Sequence, residues 1–303
     1  MAAPYLIGID GGGTGTRARL PDRAGRVLGH GGAGPSGLSL SVDAAWAHID
    51  LAIARCFASA GLPVAAAREC ALGLGLAGVN FKEQAEDFRR KGAHFACLAL
   101  ETDAATMLLG AFGGEPGVIV VAGTGSMGEA LRRDGSRGSV GGWGFPVGDE
   151  GSGAWLGLGA VRAAQWALDG RGPRGALAEA VYQSIGARGE AILAWCAQAG
   201  QGAYAALAPL VFAAAGADPV AAALLRAAAG SICEMAEALD PSGELPVALC
   251  GSIGRRLAPH LPAKFAARLR EPEGDALDGA LLLVRRAAAG GTAAAATGVA
   301  HGN

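Results

Sequence analysis

Short apolar runs alternate with longer stretches of helical spacing along this chain. In the first third, β-branched and apolar residues gather at Tyr5–Asp10, Thr16–Leu20 and Arg26–His30. The DRAG turn at Asp22–Gly25 separates the last two, so three strands in a meander are predicted. Ser41–Ala60 then carries apolar residues at helical spacing and stops at Gly61. Ala71–Leu76 reads as a strand, Phe81–Lys91 as a helix with a polar face, Phe95–Leu100 as a strand and Asp103–Phe112 as a helix. Thr102 or Asp103 could cap that last helix. The order is βββαβαβα.

The second half repeats the order with an insertion. Val118–Ala122 and Met127–Arg132 read as strands, with Asp134-Gly135 as the hairpin turn and Ser139–Gly141 as a short third strand. A helix over Ser152–Leu168 follows, and Ala176–Ala238 is mostly helical with no counterpart in the first half. The pattern resumes with a strand at Pro246–Cys250, a helix after Ser252, a strand near Phe265–Leu269 and a helix over Ala276–Arg286. Ala287–Asn303 is aperiodic and is expected to be poorly ordered. Two such series predict an α/β protein of two domains, 1–115 and 116–303, the second with a helical insertion at about 170–240. Ligands of such sheets sit at the carboxyl ends of strands, so a cleft between the two units is the expected active site.

Composition narrows the class. The chain is 51% hydrophobic, enough for two cores, with a net charge of -2 and no basic stretch, which argues against nucleic-acid and anionic-membrane partners. No run approaches 18 apolar residues free of charge or glycine, so no membrane span is expected. The start, MAAPYLIGID, lacks the basic region of a signal peptide, so a cytoplasmic location is expected. None of the six cysteines pair as C-x-x-C, and reduced buried thiols are the simplest expectation.

The first strand of each series ends in the same phrase. Tyr5–Thr16 is YLIGIDGGGTGT and Val118–Ser126 is VIVVAGTGS. A strand ending in small residues exposes backbone N–H groups that can bind phosphate. Neither phrase is a P-loop, because the three lysines (Lys82, Lys91, Lys264) lie away from both. Phosphate charge must then be met by backbone dipoles, hydroxyls and a metal ion. Asp10 could hold Mg²⁺ through water, or could simply cap the turn. Gly123–Gly128 also fits G-x-G-x-x-G, but a hairpin strand rather than a helix follows it.

Two segments offer chemistry for an acceptor. Asp103 follows a strand and precedes a helix, where a carboxylate could take the proton of an attacking hydroxyl or cap the helix. Gly141–Gly153 reads GGWGFPVGDEGSG. In it, Trp143 could stack on a sugar or join the core, and Asp149 could accept hydroxyl hydrogen bonds or cap the next helix.

Taken in order, GIDGGGT (Gly8–Thr14), LAG (Leu76–Gly78), TDA (Thr102–Ala104), AGTGS (Ala122–Ser126), GGWG…GDEGSG (Gly141–Gly153) and CGSI (Cys250–Ile253) resemble the N-acetylglucosamine and glucosamine kinases. Those kinases belong to the BadF/BadG/BcrA/BcrD-type ATPases, within the superfamily of sugar kinases, heat-shock ATPases and actin. The resemblance implies two ribonuclease-H-like, actin-like domains. It also implies transfer of the γ-phosphate of ATP, with Mg²⁺, to the 6-hydroxyl of an amino sugar. Asp103 falls at the catalytic base. Gly12, Gly13, Thr14, Thr124 and Gly125 fall at the phosphate loops, and Gly251 and Ser252 at the adenosine-contacting turn. Gly78, Asp103, Ser126, Met127, Gly142, Trp143, Gly144 and Asp149 fall at sugar-side positions, with Asp10 serving the metal. A homodimer through the second unit is implied by the resemblance alone.

One departure stands out. The resemblance calls for a sugar-contacting Asn after the third strand, where this chain has Gly37 within GPSGLS; Ser36 or Ser39 could substitute. GSGAWLGL (Gly151–Leu158) and GDALDGALLL (Gly274–Leu283) lean towards the bacterial glucosamine kinases, and whether the amine is acetylated stays open. Two other readings compete: an ATPase that activates a dehydratase or reductase through a cysteine-held cluster, and a sugar sensor without catalysis.

Overall fold

In a computed structural model of the chain, residues 3–39 and 41–290 are described. They form two compact units. Residues 3–117, 133–137 and 271–290 make the first, and residues 118–132 and 138–270 the second.

The first unit is built on a five-stranded sheet of order β3-β2-β1-β4-β5, with β1 Tyr5–Gly11, β2 Thr16–Pro21, β3 Val27–Ala33, β4 Cys70–Leu76 and β5 Cys97–Glu101. β1 to β3 form the antiparallel meander, while β4 and β5 run parallel to β1. Helix α1, Val42–Ser59, is capped by Ser41 and buries Trp46, Ile49, Ile53 and Phe57. Helix α2 spans Lys82–Lys91 and α3 Asp103–Ala111. Ile7, Ile9, Leu72, Leu74 and Leu76, alternating out of β1 and β4, fill the core against α1.

The C-terminal helix lies outside the second domain expected over 116–303. It runs from Ala276 to Ala288 as the last of twelve α-helices among the described residues and packs against β1, β4 and α3. It therefore belongs to the first unit. Glycines allow the approach: a Cβ at Gly73 would lie 1.9 Å from the Ala280 carbonyl oxygen, and one at Gly279 only 1.8 Å from that of Thr106. Arg19 fastens the helix start to β2, with Nη2 2.9 Å from Asp275 Oδ2 and Nη1 2.6 Å from Asp278 Oδ1. Residues 287 and 288 are thus helical, against the expected disorder, while 291–303 lie outside the described residues.

The second unit holds a four-stranded sheet of order β8-β7-β6-β9, from β6 Gly117–Ala122, β7 Ser126–Leu131, β8 Arg137–Gly141 and β9 Val247–Cys250. Helix α4, Gly153–Leu168, is capped by Ser152. The expected helical insertion is five helices: α5 Ala176–Ile185, α6 Gly189–Gln198, α7 Gln201–Ala205, α8 Ala208–Ala214 and α9 Pro219–Leu239. By length and composition α9 could cross a membrane, yet Leu225, Ile232, Met235 and Leu239 on it are buried in the unit's core. Helix α10 covers Gly251–Leu257.

The strand expected near Phe265–Leu269 is instead a helical turn, α11 Ala263–Ala266, followed by one parallel bridge from Leu269 to Val247. Pro262 opens that turn, its carbonyl accepting from the amides of Phe265 and Ala266 at 2.9 and 3.0 Å, so their donors are withdrawn from any ladder.

Candidate active site

In the first unit, register gathers the predicted residues at one end of the sheet. Gly11 pairs with Leu76 and Gly75 with Glu101, so β1, β4 and β5 end side by side. The loops leaving them carry Gly12–Thr14, Gly78 and Asp103. A cavity of about 400 Å³ is lined by Asp10, Gly11, Gly12, Thr14, Gly15, Thr16, Arg17 and Asp103. The Gly12–Gly15 turn is closed by the Gly12 amide donating to the Gly15 carbonyl at 3.1 Å. From behind, the amides of Ser36 and Gly37 donate to the Gly12 carbonyl at 3.1 and 3.2 Å.

Asp103 is not the helix cap. Thr102 fills that role, its Oγ1 accepting from the Ala105 amide at 3.1 Å. Asp103 is the first residue of α3, half-buried, and its Oδ1 accepts from the Ala104 amide at 2.9 Å. Burial raises its carboxyl above the usual range, the Ala104 amide lowers it, and the charge of Asp10 raises it further. A carboxylate that holds its proton more tightly is a stronger base.

Asp10 faces the same cavity. Arg17, its cross-strand partner on β2, places Nε and Nη2 at 3.0 and 2.6 Å from Asp10 Oδ2. Two carboxylates and a Gly/Thr turn form an all-oxygen donor set. That set suits Mg²⁺, which keeps most of its waters and is usually bound through one or two carboxylates plus phosphates. Among the described residues no group of three or more His, Cys, Asp or Glu forms a cage for a metal.

Gly37 is buried, and a Cβ there would meet Gly12 and Gly13 only at ordinary contact distances of 3.5–3.7 Å. Of the two serines that could stand in for an Asn, Ser36 is fully buried with its Oγ 2.7 Å from Thr16 Oγ1, which removes it as a substrate contact. Ser39 is exposed.

The second unit assembles its own set. β6 and β9 are parallel with Val121 opposite Cys250, so the Gly123–Gly125 turn and the Gly251-Ser252 turn leave adjacent strand ends. Gly251 has φ +81°, and a Cβ there would lie 2.3 Å from the Ala122 carbonyl oxygen. The start of α4 holds the first turn, the amides of Gly153 and Ala154 donating to the carbonyls of Gly123 and Thr124 at 2.8 and 3.1 Å.

Asp149, with φ 64°, is buried beside that turn. Its Oδ1 accepts from the Ser126 amide at 3.0 Å and its Oδ2 from Gln201 Nε2 at 2.7 Å. Ser126 Oγ donates to the Glu150 carbonyl at 2.7 Å. The Gly142 amide donates to the Ser126 carbonyl at 3.1 Å, which sets Gly142 against Met127. Trp143 is 69% exposed, so the core reading of it fails, and Gly144 has φ +81°.

Arg17 and Gln201 escaped the sequence reading. Counting back across the four-residue turn from Gly11–Thr16 would have put Arg17 beside Asp10. Gln201 carries no such signal, because it lies in the insertion, 52 residues from Asp149. The cysteines offer no competing chemistry in the first unit's cavity. Cys56, Cys70, Cys233 and Cys250 are buried, and burial pushes their thiols up to about 11.

A glycine turn and two carboxylates at the strand ends of a mixed α/β sheet are the arrangement of an actin-like ATPase of the sugar-kinase type. The sequence profile of the BadF/BadG/BcrA/BcrD ATPase family matches residues 7–257, and the chain belongs to that family. The glucosamine kinase of Vibrio cholerae serotype O1 is 35% identical over 279 residues, covering 92% of this chain and 95% of its own. The N-acetylmuramic acid/N-acetylglucosamine kinase of Clostridium acetobutylicum is 32% identical over 174 residues, 56% of each chain. A solved Chromobacterium violaceum protein, provisionally assigned as an N-acetylglucosamine kinase, is 49% identical with a TM-score of 0.87, covering 93% of this chain and 99% of its own. A ROK family glucokinase from Streptomyces griseus, solved with glucose and AMPPNP, shares the fold at 17% identity and a TM-score of 0.51, over 93% of this chain and 98% of its own.

Proposed function

We propose that this protein is an ATP-dependent amino-sugar kinase that phosphorylates the 6-hydroxyl of glucosamine or N-acetylglucosamine. The observation that carries the reading is Asp103: a base with a raised pKa, relieved of capping by Thr102, in one cavity with the Gly12–Thr14 turn. The full-length likeness to a glucosamine kinase supports the acceptor class.

In this reading Asp103 takes the proton of the 6-hydroxyl as its oxygen attacks the γ-phosphorus of ATP, and ADP leaves. The amides of Gly13 and Thr14, both exposed, hold the phosphates in line together with the Thr14 hydroxyl, while the Gly12 amide closes the turn onto Gly15. Asp10 would hold Mg²⁺, which when bound neutralises charge on the transferring group. In the second unit, Thr124 and Gly125 serve the phosphates and Gly251-Ser252 the adenosine. Ser126, Met127, Gly142, Trp143, Gly144 and Asp149 serve the sugar, as Gly78 does from the first unit.

The test is ADP release from ATP with glucosamine, N-acetylglucosamine, N-acetylmannosamine and glucose in parallel. Release dependent on one of the amino sugars supports the reading. Release that no sugar stimulates overturns it.

A further inference from the structure

The phosphate turn, Gly12–Gly15, fixes little of its own geometry. One hydrogen bond closes it, from the Gly12 amide to the Gly15 carbonyl. A Cβ at Gly13 would meet no described atom within 4 Å, so no side-chain packing shapes the tip. Glycines at 12, 13 and 15 make such a turn costly in backbone entropy to order. The segment Gly34–Ser39 behind it supplies the missing constraint, and it grips both ends. At the entry, the amides of Ser36 and Gly37 donate to the Gly12 carbonyl at 3.1 and 3.2 Å, and a Cβ on Gly11 would lie 1.9 Å from Ser36 Oγ. At the exit, Thr16 Oγ1 lies 2.6 Å from the Gly34 carbonyl oxygen and 2.7 Å from Ser36 Oγ. The segment is itself anchored, the His48 ring on α1 donating from Nδ1 to the Pro35 carbonyl at 2.6 Å and the Leu38 amide to the Ala77 carbonyl at 2.9 Å.

A proton count orders the two hydroxyls. A carbonyl oxygen only accepts, so the single Thr16 hydroxyl proton goes to Gly34, and Ser36 must donate to Thr16. The result is a directed chain from Ser36 through Thr16 to Gly34, buried at both hydroxyls. We infer that Ser36 is a positioning residue for nucleotide binding. Its amide sets the entry of the phosphate turn and its hydroxyl, through Thr16, sets the exit, so the Gly13 and Thr14 amides are held in place before ATP arrives. Donors fixed in advance bind charge without the cost of reorganising. Ser36 touches no ligand, because it is fully buried, and it acts only through Gly12 and Thr16. The inference rests on the kinase reading only in taking ATP as the ligand.

The experiment is calorimetric titration of the full chain with MgATP and with AMP, without sugar, in wild type, Ser36→Ala, Thr16→Val and Thr16→Ser. Ser36→Ala keeps the backbone amide and removes only the buried hydroxyl. The expected result is MgATP affinity at least about threefold weaker in Ser36→Ala and in Thr16→Val, with the AMP loss clearly smaller. Thr16→Ser keeps the hydroxyl and should recover most of what Thr16→Val loses. A loss of MgATP affinity below threefold in Ser36→Ala overturns the inference, as does equal loss for AMP and MgATP, a Thr16→Ser as weak as Thr16→Val, or a wild type that binds no MgATP. Thermal unfolding of each variant verifies folding, and the two Thr16 variants carry the test if Ser36→Ala does not fold. A wild type that binds MgATP but releases no ADP with any sugar would sink the kinase reading while leaving the role of Ser36 intact.

Discussion

Gln201 Nε2 lies 2.7 Å from Asp149 Oδ2, tying the first residue of α7 to a buried carboxylate with a left-handed backbone. The other oxygen of Asp149 holds the amide that opens β7. The helical insertion is thereby wired to the turn that follows β6. Gln201→Leu removes the donor and leaves a buried carboxylate oxygen unmatched, an expected loss of about 1–3 kcal/mol in unfolding free energy. Gln201→Glu should lose more than Gln201→Leu, because it sets a second carboxylate against Asp149 Oδ2. Urea unfolding checks both, and wild-type stability in either variant would contradict the arrangement.

Asp103 should be a residue whose ionisation opposes folding. Its folded pKa lies above the unfolded value, so the folded chain binds the proton more tightly. Stability from this group is present below the unfolded pKa and declines as pH rises towards the folded one. Asp103→Asn removes that ionisation and keeps its bond from the Ala104 amide, so its melting temperature should rise relative to wild type as pH is raised; a difference that shrinks with rising pH would contradict the sign.

The same shift sets the acid side of catalysis. The base must be ionised, so kcat/KM should fall as pH drops through a value above the ordinary aspartate range, and the charge of Asp10 contributes to that elevation. Following the Asp103 carboxyl carbon by NMR, Asp10→Asn should move its titration to lower pH. An unmoved titration would show that Asp10 exerts no field at Asp103.

Gly37 leaves room that a side chain can occupy. A Cβ there meets Gly12 and Gly13 at ordinary contact distance, so Gly37→Asn should fold like wild type. If the amide reaches the sugar, its hydrogen bond is worth about 0.5–1.5 kcal/mol, and KM for the amino sugar should drop about two- to tenfold with kcat unchanged. An unchanged KM would mean that position 37 does not face the sugar.

Most of the framework is legible in the sequence, because strand ends marked by Gly and Thr and helix starts marked by Ser41, Thr102 and Ser152 are local signals. The misread parts are those decided at a distance. The C-terminal helix returns to the first unit through the contact of Gly73 with Ala280, which chain order cannot show. The run after Pro262 looks like a strand, but Pro262 accepts the amides a strand would need. In the site, Asp103 and the two glycine turns follow from where strands end. Arg17 needs a ladder register, and Gln201 needs the packing of the insertion.

Phosphoryl transfer by Asp103→Asn, measured as sugar-dependent ADP release alongside MgATP binding, should fall roughly 10²-fold or more, the scale of a positioned general base, with ATP affinity close to wild type. Turnover within a few-fold of wild type would remove Asp103 from the chemistry.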